Sequence, residues 1–176
     1  ATVNDADGVA ITAAELSAIG GATTGTVTVT NAVAITGDHD QLTAALVTAG
    51  TKVSVSDATV TINDADTTDI TAAELSAIGG STTGTVTVTN AVAITGDHDQ
   101  VTAALVTGAT KVSVTNATVL INDADTTAIT AAELSAIGGA TTGTVTVTNA
   151  VAITGDHDQL TAALVTAGTK VEVSDA

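Results

Sequence analysis

Apolar and hydroxyl-bearing residues alternate in Val27-Thr28-Val29-Thr30 and again in Val53-Ser54-Val55-Ser56, which predicts strands with valine on one face and hydroxyl groups on the other. An Asn31-Ala32 or Asp57-Ala58 corner follows, and Val33/Ile35 and Val60/Ile62 resume the alternation in a second strand. The period then changes. Thr12-Ala13-Ala14-Glu15 spells a capping box with Ile11 and Leu16 at the staple positions, and Asp38 with Gln41 has the same spacing. Short helices are expected at Thr12–Ile19, Thr71–Ile78, Thr130–Ile137 and within Asp40–Thr48. Gly20-Gly21 and Gly50 are expected to end them by admitting a left-handed residue. Helices of about eight to ten residues are unstable alone, so these must pack on the strands.

The pattern repeats. ITAAELSAIGG begins at Ile11, Ile70 and Ile129, a period of 59 residues, and residues 11–69 match residues 70–128 at 51 of 59 positions. Inside each period VTVTNAVAIT-GDHDQLTAALV aligns with VSVSDATVTIN-DADTTDITAAEL when one or two residues are inserted before the second helix. Each period then divides into a coil of 26 residues, Val27 to Val53, and one of 33, Val53 to Val86. The corner dipeptide recurs at 31–32, 57–58, 90–91, 116–117, 149–150 and 175–176, which implies six coils. One repeat array results, with a partial repeat at about 1–10, full repeats at 11–69 and 70–128, and a partial repeat at 129–176. It reads as a slice of a longer array.

The expected fold is an α/β repeat, a right-handed parallel solenoid with two strands and one short helix per coil and two coils per period. Six coils at the parallel-strand spacing give a rod about 30 Å long. The corner Asn/Asp column is expected to satisfy backbone groups from coil to coil.

Composition sharpens the class. Nineteen acidic residues against three lysines leave a net charge of −16, which disfavours nucleic acid and anionic membrane surfaces and favours cations. Cys, Met, Trp, Tyr and Phe are all absent, removing disulfides, thiolate metal sites and the most oxidisable side chains. At 44% hydrophobic the chain is no disordered acidic tail, and neither a membrane span nor a targeting segment is visible. An extracellular or cell-surface location suits this composition.

The corner and strand pattern resembles a leucine-rich repeat, although Val27-x-Val29-x-Asn31-x-Val33 is one residue shorter, so only solenoid logic carries over. ITAAELSAIGG and GTVTVTNAVAITGDHDQLTAALVT resemble the Ala/Thr/Asp-rich tandem repeats of very large secreted or cell-surface proteins of cyanobacteria and other aquatic bacteria, of the RTX-associated adhesin or filament type. The resemblance covers essentially the whole chain. It implies a stalk, filament, surface-layer or adhesin segment and no enzymatic activity. The hemolysin-type G-G-x-G-x-D calcium motif is not found, since Gly20-Gly21-Ala22-Thr23 lacks its later Gly and Asp.

An Asp-x-Asp follows every second strand: Asp5/Asp7, Asp38/Asp40, Asp64/Asp66, Asp97/Asp99, Asp123/Asp125 and Asp156/Asp158. Stacked in register, these form two carboxylate columns, and like charges so close call for caps, solvent or cations. One reading puts Ca²⁺ between coils, with Asn4, Asn63 and Asn122 as further ligands. The other has each pair cap a helix and complement its dipole. His39, His98 and His157 are expected to be solvated turn residues, and Lys52, Lys111 and Lys170 to pair with neighbouring acids. No Ser-His-Asp or paired-carboxylate constellation points to catalysis. Threonine and serine at 28, 54, 87, 113 and 146, with Glu172, suggest a hydroxyl column, paralleled at 30, 56, 89, 115, 148 and 174; ice binding by this surface is the alternative function. The expected partners are neighbouring repeats or other copies, end to end, together with divalent cations.

Overall fold

The computed structural model describes residues 1–110 and 112–175. Among these residues six helices begin, at Ala13, His39, Ala72, His98, Ala131 and His157, so their spacing alternates between 26 and 33 residues. They are α1 (Ala13–Gly21), α2 (His39–Leu42, continued by a π-helical turn over Thr43–Val47), α3 (Ala72–Gly79), α4 (His98–Leu105), α5 (Ala131–Gly138) and α6 (His157–Leu164). Each packs against the helices before and after it in sequence. Thr12, Thr71 and Thr130 cap α1, α3 and α5, and Glu15, Glu74 and Glu133 close the predicted boxes.

Fifteen short strands lie before, between and after these helices among the described residues. A short segment carries two strands, such as β3 (Val27–Val29) and β4 (Ala34–Gly37). A long segment carries three, such as β5 (Val53–Ser54), β6 (Thr59–Ile62) and β7 (Asp69–Thr71). The two-strand plan therefore holds only for the short segments. In the long ones Asp69-Ile70-Thr71, with Ile70 buried between exposed neighbours, forms a strand ahead of the helix.

All pairing is parallel, and the third strand shifts it sideways. β5 pairs with β3, and β6 with β4, in the preceding short segment; β6 then pairs with β8 (Val86–Val88), and β7 with β9 (Ala93–Gly96), in the following one. With β2 (Ala10–Thr12) and β10 (Val112–Ser113), one five-stranded sheet runs β2-β4-β6-β8-β10. Its copy one period on is β7-β9-β11-β13-β15, where β11 is Thr118–Ile121, β13 is Val145–Val147 and β15 is Glu172–Val173. Two smaller sheets remain, β1-β3-β5 with β1 at Thr2–Val3, and β12-β14 with β12 at Ala128–Thr130 and β14 at Ala152–Thr154.

The shift breaks the hydroxyl column expected from sequence. Thr28 faces Ser54, Thr87 faces Ser113 and Thr146 faces Glu172, but each pair lies in a different sheet. The ladder that forms instead is Thr12-Thr36-Thr61-Thr87-Ser113.

Valine, isoleucine, leucine and alanine fill one continuous core, with Leu16, Ile35, Leu42, Ile62, Ile94 and Ile121 fully buried. Gly20, Gly79 and Gly138 act by size instead of handedness, whereas Gly50 has neither a left-handed φ nor any atom within 4 Å of a Cβ. Gly80 and Gly139 have φ of −75°, and a Cβ on Gly79 or Gly138 would overlap the carbonyl oxygen of Thr110 or Thr169. Among the described residues no helix is long and apolar enough to cross a membrane.

Candidate functional site

The six Asp-x-Asp pairs divide into two kinds. Asp38, Asp97 and Asp156 are N-caps, each accepting from the backbone N–H three residues on, Gln41, Gln100 and Gln159, at 2.8, 2.8 and 2.9 Å. Their companions Asp40, Asp99 and Asp158 point into solvent, with side chains 86–87% exposed. These pairs follow the capping reading.

The long-segment pairs link elements far apart in sequence. Asp64 is buried and reaches back 25 residues to the start of α2, where one oxygen accepts from the His39 N–H at 2.8 Å and the other meets His39 Nδ1 at 2.6 Å. Asp123 repeats both contacts with His98 at 2.8 and 2.7 Å. A carboxylate at a helix N-terminus is favoured by the free N–H groups and the dipole there. The second aspartate reaches forward. Asp66 Oδ1 accepts from the Ala91 N–H at 2.9 Å, while Asn90 Nδ2 donates to the Asp64 carbonyl at 2.6 Å. Asp125, with Asn149 and Asp123, does the same at 3.2 and 2.5 Å, and Asp7, with Asn31 and Asp5, at 3.0 and 2.5 Å. Each complete pair therefore ties its own segment to the segments on both sides. Asn31, Asn90 and Asn149 satisfy backbone groups across segments, as expected, whereas the corner residues Asp57, Asn116 and Asp175 make no such bond among the described residues.

The loop carrying this staple is strained. Thr67 and Thr126 have φ of 63° and 67°, a left-handed conformation unusual for β-branched residues, and Gly8 holds the same place with φ of 75°. Their N–H groups donate to Ala91, Ala150 and Ala32 carbonyls at 2.8, 2.7 and 2.8 Å, so the left-handed turn joins the same interlock.

His39 and His98 are not solvated turn residues; their side chains are 14% and 12% exposed. Burial alone would lower their pKa, but the hydrogen bond and charge of Asp64 or Asp123, aided by Asp40 and Glu74 or Asp99 and Glu133, raise it overall. His157 does match the expectation, at 91% exposed, with Nε2 3.0 Å from Asp158.

Compared with protein-family models, curated proteins and solved structures, this chain matches none. Its own geometry must carry the functional reading. No group of three or more His, Asp or Glu able to hold a metal forms among the described residues. Asn4, Asn63 and Asn122 are exposed. Lys52 and Lys170 form no ion pair among the described residues, contrary to expectation, and Lys111 and Ala176 lie outside them. A shallow groove of about 680 Å³ is lined by Gly20, Thr23, Gly25 and Ser54, with Lys52 as its one charged lining residue. Sequence reasoning missed the staple. The available signal was that Asp38 has Gln41 three residues on, whereas Asp64 has Thr67 there and so no capping-box partner.

Proposed function

We propose that the chain is a structural repeat segment of an extracellular filament, stalk, surface layer or adhesin: a right-handed solenoid of six coils that holds distance and is not an enzyme. The observation that carries this reading is the recurrence of one interlock, His39–Asp64 with Asp66–Ala91 and His98–Asp123 with Asp125–Ala150, at the period of the sequence. An array whose units bond only to their neighbours gains length without changing cross-section. Side chains resistant to oxidation and a high negative charge suit service outside the cell. Calcium belongs to this reading as counter-ion to the exposed carboxylates, Asp40 and Asp66 among them; Asp64 and Asp123 are already held by histidine.

Chains carrying two, three and four periods test it by small-angle X-ray scattering. The long dimension should grow by about 10 Å per added period, two strand spacings, at constant cross-sectional radius. Growth in all three dimensions would reject the solenoid and the spacer together.

A further inference from the structure

The corners of the array are held in two ways. Asn31, Asn90 and Asn149 lock theirs with the side chain, Nδ2 donating to the Asp5, Asp64 and Asp123 carbonyls at 2.5, 2.6 and 2.5 Å. The corners at Asp57 and Asn116 are locked through the backbone. There the Thr82 and Thr141 hydroxyls donate to the Ala58 and Ala117 carbonyls, each at 2.7 Å, and the Thr83 and Thr142 N–H groups donate to the Ser56 and Thr115 carbonyls at 2.8 and 2.9 Å. The side chain at such a corner is left over.

What fills this spare position differs between the two repeats. Asp57 accepts from the Ser56 hydroxyl at 2.8 Å, whereas Asn116 stands exposed at a bend and its amide makes no hydrogen bond among the described residues. Two residues on, Thr118 opens β11 with its side chain exposed as well, while Ala117 between them is fully buried. Amide and hydroxyl therefore share the solvent side. Asn116-Ala117-Thr118 has the Asn-x-Thr form that accepts N-linked sugar, and it lies where such a motif is used, on a surface turn. No other asparagine of the chain qualifies. Asn31, Asn90 and Asn149 are followed two residues on by Val33, Val92 and Val151, and Asn4, Asn63 and Asn122 by Ala6, Ala65 and Ala124.

We infer that Asn116 is the acceptor for an N-linked glycan. This deepens the extracellular part of the reading above and rests on it, because the motif is modified in exported chains. The donor is a sugar activated as its pyrophosphate ester. The Asn116 amide nitrogen displaces the pyrophosphate at the anomeric carbon: a C–N bond forms, the C–O bond breaks, one amide proton passes to a base of the transferase and the pyrophosphate leaves with the bonding electrons. Nothing is oxidised or reduced. β11 is an inner strand, paired with β9 and β13, and cannot enter a transferase cleft once it is in the sheet, so transfer precedes that pairing. The finished fold accepts the sugar because no native bond uses Asn116 Nδ2 and the side chain already faces water.

Export of the full chain behind a cleavable signal peptide, from a eukaryotic secretory host, tests the assignment by intact mass and peptide mapping. One glycan per chain is expected, on the peptide that contains Asn116, and peptide N-glycosidase should remove it and leave aspartate at position 116. Asn116→Asp, which restores the residue that the preceding repeat has at Asp57, and Thr118→Ala should each lower occupancy about tenfold or more, whereas Thr118→Ser keeps it. Thermal midpoints before and after enzymatic removal should agree within about 2 °C, as for other changes at an unbonded surface side chain. An exported chain of bare polypeptide mass, sugar that persists in Asn116→Asp, or a midpoint lowered by the sugar beyond that margin overturns the assignment. The scattering series uses chains made without sugar and so reads the solenoid and spacer independently.

Discussion

His39 Nδ1 lies 2.6 Å from Asp64 Oδ1, a contact between residues 25 apart, and the same two atoms of His98 and Asp123 lie 2.7 Å apart one period later. Each histidine also offers its backbone N–H to the other carboxylate oxygen. Two donors from the first residue of a helix thus converge on one buried carboxylate from the following segment.

The contact makes stability depend on pH in a defined direction. His39 and His98 face Asp64, Asp40 and Glu74, and Asp123, Asp99 and Glu133, and their folded pKa values are raised. The protonated form is therefore the one the fold favours. Its contribution is fully present below the unfolded value of about 6.5 and is lost as pH rises through the folded value above that. Urea melts should show stability falling across this alkaline-going window, and the fall should vanish in the His39→Asn/His98→Asn double variant.

Removing the carboxylate tests the staple itself. Asp123→Ala frees the His98 ring and backbone N–H together with the start of α4. The expected loss is about 3 kcal/mol of unfolding free energy, since bonds to a charged acceptor are worth about 1.5–3 kcal/mol each and are partly replaced by water. Asp99→Ala, at an exposed carboxylate, should change stability by less than about 0.5 kcal/mol.

Glycine at the helix ends is required by space. A Cβ at Gly79 would penetrate the Thr110 carbonyl, a backbone group that cannot rotate away. Gly79→Ala should lower the thermal midpoint by several degrees despite alanine's higher helix propensity. Gly108→Ala, where a Cβ meets nothing within 4 Å, should leave it nearly unchanged.

Position 67 predicts the reverse outcome. Thr67 and Thr126 are β-branched at positive φ, and the period itself places glycine there once, at Gly8. Thr67→Gly and Thr126→Gly should each stabilise by roughly 1 kcal/mol in chemical denaturation, the relieved strain exceeding glycine's added chain entropy.

Calcium is tested by melting. Millimolar Ca²⁺ should raise the thermal midpoint over EDTA beyond what NaCl of equal ionic strength achieves. Equal midpoints remove calcium from the proposed function while leaving the solenoid untouched.

The amino-acid sequence alone determined the period, the alternation of 26- and 33-residue spacings, the threonine and aspartate caps and which valines and isoleucines face inward. These are local: a capping box closes within four residues, and alternation on a strand needs only its neighbours. It could not decide which strand each strand pairs with. Asp69-Ile70-Thr71 looks like a helix entry in sequence, and only packing against β9 makes it a third strand that moves every later pairing one place sideways. Nor could it tell what Asp64 binds, since the missing capping-box partner at Thr67 sets it apart from Asp38 without naming another. Both head an Asp-x-Asp, but one caps the helix beside it and the other is buried against a histidine 25 residues away. A hydrogen-bond donor at that distance is supplied by the stacking of segments, and stacking register is a property of the assembled sheet, not of any stretch of chain that enters it.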